Sequence, residues 1–238
     1  MSSPPPIKII FILVEPAVPE NVGFSARALK TMGFDALRLV NASLHNTKGA
    51  RNTGYASHDV LDNVQVFKDL PSALDGIDLV VGTSAKQRVT RYDYLHPKNL
   101  KKVLDKKGQS LSVVGIVFGS EENGLSKKDL SHCDLISSIP LSVPYPSLNL
   151  AQSVLLYAYE LSEFSNIQET ITDPASSGTQ QALKTSAIEM LQWLGFSRHP
   201  ILFKRILDRL MLIGKDDMQL CLSFLKYLNR KRHKEFKE

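Results

Sequence analysis

The chain has 238 residues, 43% of them hydrophobic and 22% charged. That composition excludes a disordered chain and fits one core of ordinary size plus a smaller appendage. The net charge of +5 suits a polyanionic partner. Cys133 and Cys221 form no CxxC or Cys/His cluster, so neither a metal site nor a disulfide framework is expected.

Residues 1–6, Met-Ser-Ser-Pro-Pro-Pro, read as a disordered tail without the basic stretch of a signal peptide. The apolar run Ile7–Val14 contains Lys8 and is too short to span a bilayer, so a cytoplasmic protein with no membrane partner is expected. Ile9–Val14 predicts a buried strand, Val22–Met32 a helix stopped by Gly33, and Ala36–Val40 a second strand. Val64–Phe67 is a short third strand, followed by a helix start at Leu70-Pro71-Ser72. Leu79–Gly82, Val113–Phe118 and Leu135–Ile139 are further strands, and Asn149–Phe164 is a long helix. Continuous apolar strands separated by helices indicate an α/β fold, a parallel sheet with helices on both faces. Ligands of such sheets sit at the carboxyl ends of the strands, which directs attention to the loops after Val14, Gly82, Phe118 and Ile139. Residues 7–165 form this main domain. The polar stretch 166–180 reads as a linker, and 181–238 as a small helical extension with helices over Ala182–Leu194, Ile201–Leu212 and Asp216–Leu228. The tail Lys226-Tyr227-Leu228-Asn229-Arg230-Lys231-Arg232-His233-Lys234 is basic.

Three loops carry the chemistry. Phe118-Gly119-Ser120-Glu121-Glu122-Asn123-Gly124-Leu125 follows a strand and nearly spells a phosphate-binding loop. Leu125 stands where the lysine must be, and two carboxylates occupy the cradle, so a nucleoside triphosphate is excluded. The glycines alone would equally serve a tight turn. Ile139-Pro140-Leu141-Ser142-Val143-Pro144-Tyr145-Pro146-Ser147-Leu148-Asn149-Leu150-Ala151 is an extended loop held by prolines that ends at a helix start, where Ser147 or Asn149 can act as a cap. In Glu15-Pro16-Ala17-Val18-Pro19-Glu20-Asn21-Val22-Gly23-Phe24-Ser25-Ala26-Arg27, Asn21 can cap the helix from Val22. Gly23 and Ala26 keep one helical face small, so another backbone can come close, and Arg27 projects from the first part of the helix.

In this order and spacing the three loops resemble the three motifs of the SPOUT superfamily, TrmH-type branch. Lys30-Thr31-Met32-Gly33-Phe34, Leu39-Val40-Asn41, Val81-Gly82-Thr83-Ser84-Ala85 and Tyr145–Ala151 are most similar to the TrmJ/LasT group of tRNA/rRNA methyltransferases. The resemblance covers Ile7 to Phe164 and, more weakly, the extension. It implies a C-terminal deep trefoil knot and S-adenosylmethionine as cofactor. Thr83, Ser84, Ala85, Gly119, Ile139, Pro146, Ser147 and Leu148 would then bind the cofactor. Arg27, Ser147 and Asn149 would be catalytic, and Lys86, Arg88 and Tyr145 would hold RNA. Glu121 would order the knot loop or a dimer contact rather than transfer a proton, and His45, His58 and His96 receive no role.

The implied reaction methylates a ribose 2′-hydroxyl of RNA by a homodimer whose active site is completed across the interface. The helical extension favours tRNA over rRNA, with a pyrimidine of the anticodon loop as target. The alternatives are an rRNA 2′-O-methyltransferase of the same fold and a non-catalytic RNA-binding relative.

Overall fold

The computed structural model describes residues 7–85, 94–107, 110–143, 145, 147–165, 178–213 and 215–235. The expected tail, residues 166–177 of the expected linker, and Lys86, Arg88 and Pro146 lie outside these residues.

Seven strands form one sheet: β1 (Lys8–Val14), β2 (Leu37–Val40), β3 (Gln65–Phe67), β4 (Leu79–Thr83), β5 (Tyr94–Leu95), β6 (Val113–Phe118) and β7 (Leu135–Ser137). Their order is β3-β2-β1-β6-β4-β7-β5, and every pairing is parallel. The expected strands are all present. The last one stops at Ser137 rather than Ile139, because its neighbour β5 offers only two residues to pair with.

The helices of the main domain are α1 (Pro19–Thr31), α2 (Lys48–Thr53), α3 (His58–Asp62), α4 (Leu70–Ala73), α5 (Pro97–Lys107), α6 (Lys127–Ser131) and α7 (Leu150–Glu160). Alternate residues of each strand feed opposite faces of the sheet. Phe11, Leu13, Leu39, Val81 and Ile116 pack with Leu29 of α1, Leu100 and Leu104 of α5 and Val154 of α7. Ile10, Ile12, Val80, Val117 and Ile136 pack with Leu70 and Ala73 of α4 and Leu130 of α6. Sequence periodicity did not reveal α2, α3, α5, α6 or β5. The helices α2, α3 and α6 are under two turns long and β5 has two residues, and in α5 lysines surround the apolar positions Leu100, Val103 and Leu104.

Helix α1 begins at Pro19, earlier than expected, because proline at the first helical position has the right φ and no N–H to satisfy. It ends at Gly33, whose φ of +81° is the left-handed stop that glycine permits. Gly23 admits α2: a Cβ there would lie 2.1 Å from the Ala50 carbonyl oxygen. Aromatic contacts tie the first strand to the last helix of the domain. Phe11 and Phe118 stack at 6.2 Å, and Phe118 meets Tyr157 of α7 edge-on at 5.4 Å.

The extension consists of α8 (Gly178–Trp193), α9 (Pro200–Met211) and α10 (Lys215–Glu235). Its first helix opens inside the stretch read as linker, and its last runs past the expected end at Leu228. Leu183, Met211, Met218 and Leu222 join the core on the α5 side of the sheet. Polar contacts fasten it further. Lys184 pairs with Asp134 at 2.5 Å, and the other oxygen of Asp134 accepts the Val80 N–H at 2.8 Å. The fully buried Lys107 Nζ donates to Gln180 Oε1 at 3.0 Å.

Burial lowers the Lys107 ammonium from 10.5 to about 8, with Asp134 opposing the shift. Between these values the unfolded chain holds a proton that the folded chain has lost, so stability rises with pH across the window. Urea unfolding of the wild type is expected to gain stability on the order of 2 kcal/mol over that range. The gain is expected to disappear in Lys107→Met, and parallel pH profiles for the two proteins would refute the assignment.

Candidate functional site

The loops that follow β1, β4, β6 and β7 meet at the carboxyl edge of the sheet, where a parallel sheet offers its ligand site. The loop after β6 is shaped by two glycines. A Cβ at Gly119 would lie 2.0 Å from the Gly124 carbonyl carbon, so the loop after β6 folds back onto its own start. Gly124 has a φ of +65°, and its N–H donates to the Ser120 carbonyl at 2.9 Å. The tight turn and the close approach are therefore both real, and each requires glycine.

Glu121 at this turn reaches across to the loop after β1. Its carboxylate accepts the Ala17 N–H at 2.9 Å, the Val18 N–H at 3.3 Å and the Asn21 amide Nδ2 at 2.8 Å. Asn21 Oδ1 in turn accepts Asn149 Nδ2 at 2.8 Å, and Asn149 Oδ1 accepts the Ala151 N–H at 2.8 Å. One chain of hydrogen bonds thus joins the loops after β1, β6 and β7. It corrects the expectation for Asn21, which does not cap α1. The N-cap is Val18, without a side-chain bond, and the anionic Glu121 sits at that helix end instead. Asn149 is the cap of α7, in a capping box with Gln152. Burial raises the Glu121 carboxyl, but the bonds from Ala17, Asn21, its own N–H and Val18 together hold it below the usual carboxylate value.

Between these loops lies a cavity of about 290 Å³. Thr83, Ser84, Ala85, Gly119, Ile139, Ser147 and Leu148, all expected to hold a cofactor, line it. Tyr145, expected to hold RNA, also lines it and is 84% exposed. Asn149 stands behind the wall rather than in it, its amide bonded at both ends. Arg27 is exposed on α1 and is not among the lining residues of its own chain's cavity.

Sequence reasoning missed Phe118, Leu125, Leu141, Leu150, Ser153 and Tyr157 as parts of this wall. Ser153 and Tyr157 follow Asn149 at helical spacing, which was the available signal. The Tyr157 hydroxyl is buried and has no well-formed hydrogen bond. Its polar neighbour Ser137 already donates to the Leu95 carbonyl.

The histidines given no role lie away from the cavity. His58 Nε2 meets the Arg51 carbonyl at 3.0 Å, His96 Nδ1 accepts the Lys98 N–H at 3.0 Å, and His45 pairs with Asn46. A second cleft of about 620 Å³ lies between the turn before β7 and helices α8 and α9, and none of the expected site residues line it.

The chemistry of the first cavity is selective. Glu121 and Glu122 line it, and no lysine or arginine does among the described residues. Serine hydroxyls and loop backbone supply hydrogen bonds, and Phe118, Leu141 and Leu148 supply apolar surface. A phosphate is repelled here, whereas a compact ligand with a flat apolar part and a positive charge fits. S-adenosylmethionine, with its adenine, ribose hydroxyls and sulfonium, has that composition.

Fold and cavity define a parallel α/β protein that binds a ligand between strand-end loops instead of on a phosphate-binding glycine turn. The chain belongs to the SpoU rRNA Methylase family, whose model matches residues 8–159. It is 35% identical over 213 residues to the uncharacterized tRNA/rRNA methyltransferase LasT of Escherichia coli, covering 89% of this chain and 92% of that one. It is 35% identical over 159 residues to the tRNA (cytidine-2′-O-)-methyltransferase TrmJ of Methanocaldococcus jannaschii, covering 65% and 67%. Among solved structures, TrmJ from Z. mobilis superposes with a TM-score of 0.62 at 26% identity, over 92% of this chain and 98% of that one.

Replacing Glu121 by glutamine puts an amide N–H₂ among three donors. Glu121→Gln is expected to lose about 1–2 kcal/mol of stability and to bind cofactor more weakly, read by chemical denaturation and calorimetry. The lowered folded pKa means that the Glu121 contribution is present above its unfolded value and lost as pH falls through the folded one. The variant's acid unfolding is therefore expected to be flatter there, and an unchanged acid limb would rule out the linkage.

Proposed function

We propose that this protein transfers a methyl group from S-adenosylmethionine to a ribose 2′-hydroxyl of RNA, and that the RNA is tRNA, with a pyrimidine of the anticodon loop as target. The observation that carries the reading is the cavity itself, walled by the loops after β4, β6 and β7, the last two of which are tied through Asn21 by one hydrogen-bond chain. The names of the similar TrmJ and LasT proteins support the substrate class.

Thr83, Ser84, Ala85, Gly119, Ile139, Pro146, Ser147 and Leu148 would hold the cofactor, which supplies an electrophilic methyl group when bound. What remains for the protein is to position the hydroxyl and remove its proton. A guanidinium keeps its proton at any ordinary pH, so Arg27 orients an RNA phosphate and stabilises the developing alkoxide rather than acting as base. Ser147 presents a hydroxyl in the cavity to align the nucleophile, and Asn149 keeps Ser147 in place by fixing the start of α7. Tyr145 offers an exposed ring on which a base can stack, with Lys86 and Arg88 on phosphates.

The working form we propose is a homodimer in the cytoplasm, with the loop after β7 drawn through the main domain in a deep trefoil knot. The division into a methyltransferase domain, 7–165, and a helical extension belongs to the same reading. Helices α1 and α7 pack together and leave Phe24 47% and Tyr159 63% exposed, with Leu155 and Leu156 also partly uncovered. A second copy would cover this surface, and Arg27 would then serve the partner's cavity rather than its own.

Incubation with methyl-labelled cofactor and separated tRNA and rRNA tests the reaction. Label is expected in tRNA, in dinucleotides that resist alkaline cleavage because the 2′-oxygen is blocked. Label in rRNA alone would replace the substrate, and no label in either would replace the function. Arg27→Ala is expected to lower the rate by about 10²-fold or more while cofactor binding stays intact. Tyr159→Glu is expected to shift sedimentation toward the monomer, and an unaffected dimer would move the interface elsewhere.

A further inference from the structure

The two carboxylates of the cavity are not equivalent. Both oxygens of Glu121 are engaged, by Ala17, Val18 and Asn21. Glu122 lines the same cavity and makes no hydrogen bond or ion pair among the described residues. It is exposed, yet its backbone is held. It sits in the turn closed by the Ser120–Gly124 bridge and by the Gly124 N–H on the Ser120 carbonyl at 2.9 Å. A positive φ at Gly124 and the close packing of Gly119 leave that turn little freedom. The result is a carboxylate with no described partner in its own chain, carried by a constrained turn that lines the cavity.

We propose that Glu122 is a specificity-determining residue that makes the cavity prefer the sulfonium form of the cofactor over its neutral thioether product. The inference rests on the cofactor reading above. When the methyl group leaves, the bonding pair stays on sulfur and the positive charge disappears. The amino and carboxylate groups of the methionine part cancel in both forms, so the sulfonium is the difference in net charge. A fixed carboxylate therefore favours the substrate form electrostatically and lets the product leave. Glu121 keeps its charge, but both of its oxygens are taken by the hydrogen bonds that hold the loops, which leaves Glu122 as the carboxylate available to meet a ligand directly.

Calorimetric titration of wild type, Glu122→Gln and Glu122→Asp tests the proposal. The ligands are S-adenosylmethionine, S-adenosylhomocysteine and sinefungin, which carries an ammonium in the place of the sulfonium methyl. In Glu122→Gln the affinity for the two cationic ligands is expected to fall about threefold to tenfold, with that for S-adenosylhomocysteine unchanged. Glu122→Asp is expected to keep most of the preference. In the wild type the preference is expected to shrink at high ionic strength, as it should for a partly exposed charge. Equal losses for all three ligands, or no loss for any, would overturn the proposal. A wild-type protein that binds none of the three would overturn the cofactor reading and this inference with it. Unchanged thermal unfolding of the variants confirms that binding, not folding, is being read.

Discussion

The hydrogen-bond chain from Glu121 through Asn21 to Asn149 is the constraint on which the site depends. Its members come from loops after three different strands, and each loop alone has reason to move. The loop after β7 and the turn pivoting on Gly124 would otherwise be held only by their ends. Glu121 satisfies two N–H groups just before α1, Asn21 passes the bond onward, and Asn149 converts it into the cap of α7. Hydrogen bonds to a charged acceptor are among the stronger ones available to a protein. Their placement at two helix starts lets one carboxylate set the positions of α1 and α7 together. The aromatic row Phe11–Phe118–Tyr157 backs the same arrangement from within the core.

Rigidity of this kind suits the proposed chemistry. Methyl transfer needs alignment more than it needs an acid or base of unusual strength. Among the described residues that line the cavity none is a histidine or cysteine, and the Glu121 carboxyl is held as an anion by its partners. The cavity contributes shape, backbone hydrogen bonds and sign of charge. Lowering the pKa of Glu121 makes it a poor base and a good anchor, which agrees with the ordering role expected for it.

The extension is bound to the main domain by a different logic. Its apolar residues join the α5 side of the core, while Asp134 and Lys107 provide buried polar contacts that only one geometry satisfies. A fully buried lysine is costly, and an amide partner offsets that cost only in part. Such contacts specify where α8 and α9 sit more than they add stability. Asp134 stands at the start of β7, the strand that leads into the loop walling the cavity, so the extension grips the sheet beneath the site.

Local pattern determined much of this protein. Apolar runs such as Ile9–Val14 and Val113–Phe118 read as buried strands and are so, and Gly33 ends the helix before it for a steric reason internal to the chain. The cavity-lining segments Thr83–Ala85 and Ser147–Leu148 were legible only through the family resemblance that their motifs carry. Asn21 shows where that reading stops. Its local context makes it a helix cap, and only the arrival of Glu121 and Asn149, each more than ninety positions away in the chain, makes it the middle of a bridge. Tyr157, Lys107 and the short helices α2 and α3 belong to the same class. A sequence records what a residue prefers among its neighbours, whereas hydrogen-bond partners and burial are set by which distant segments pack against it. The residue types of the site were therefore written in the chain, and the difference between a pinned Glu121 and a free Glu122 was decided only by the tertiary fold.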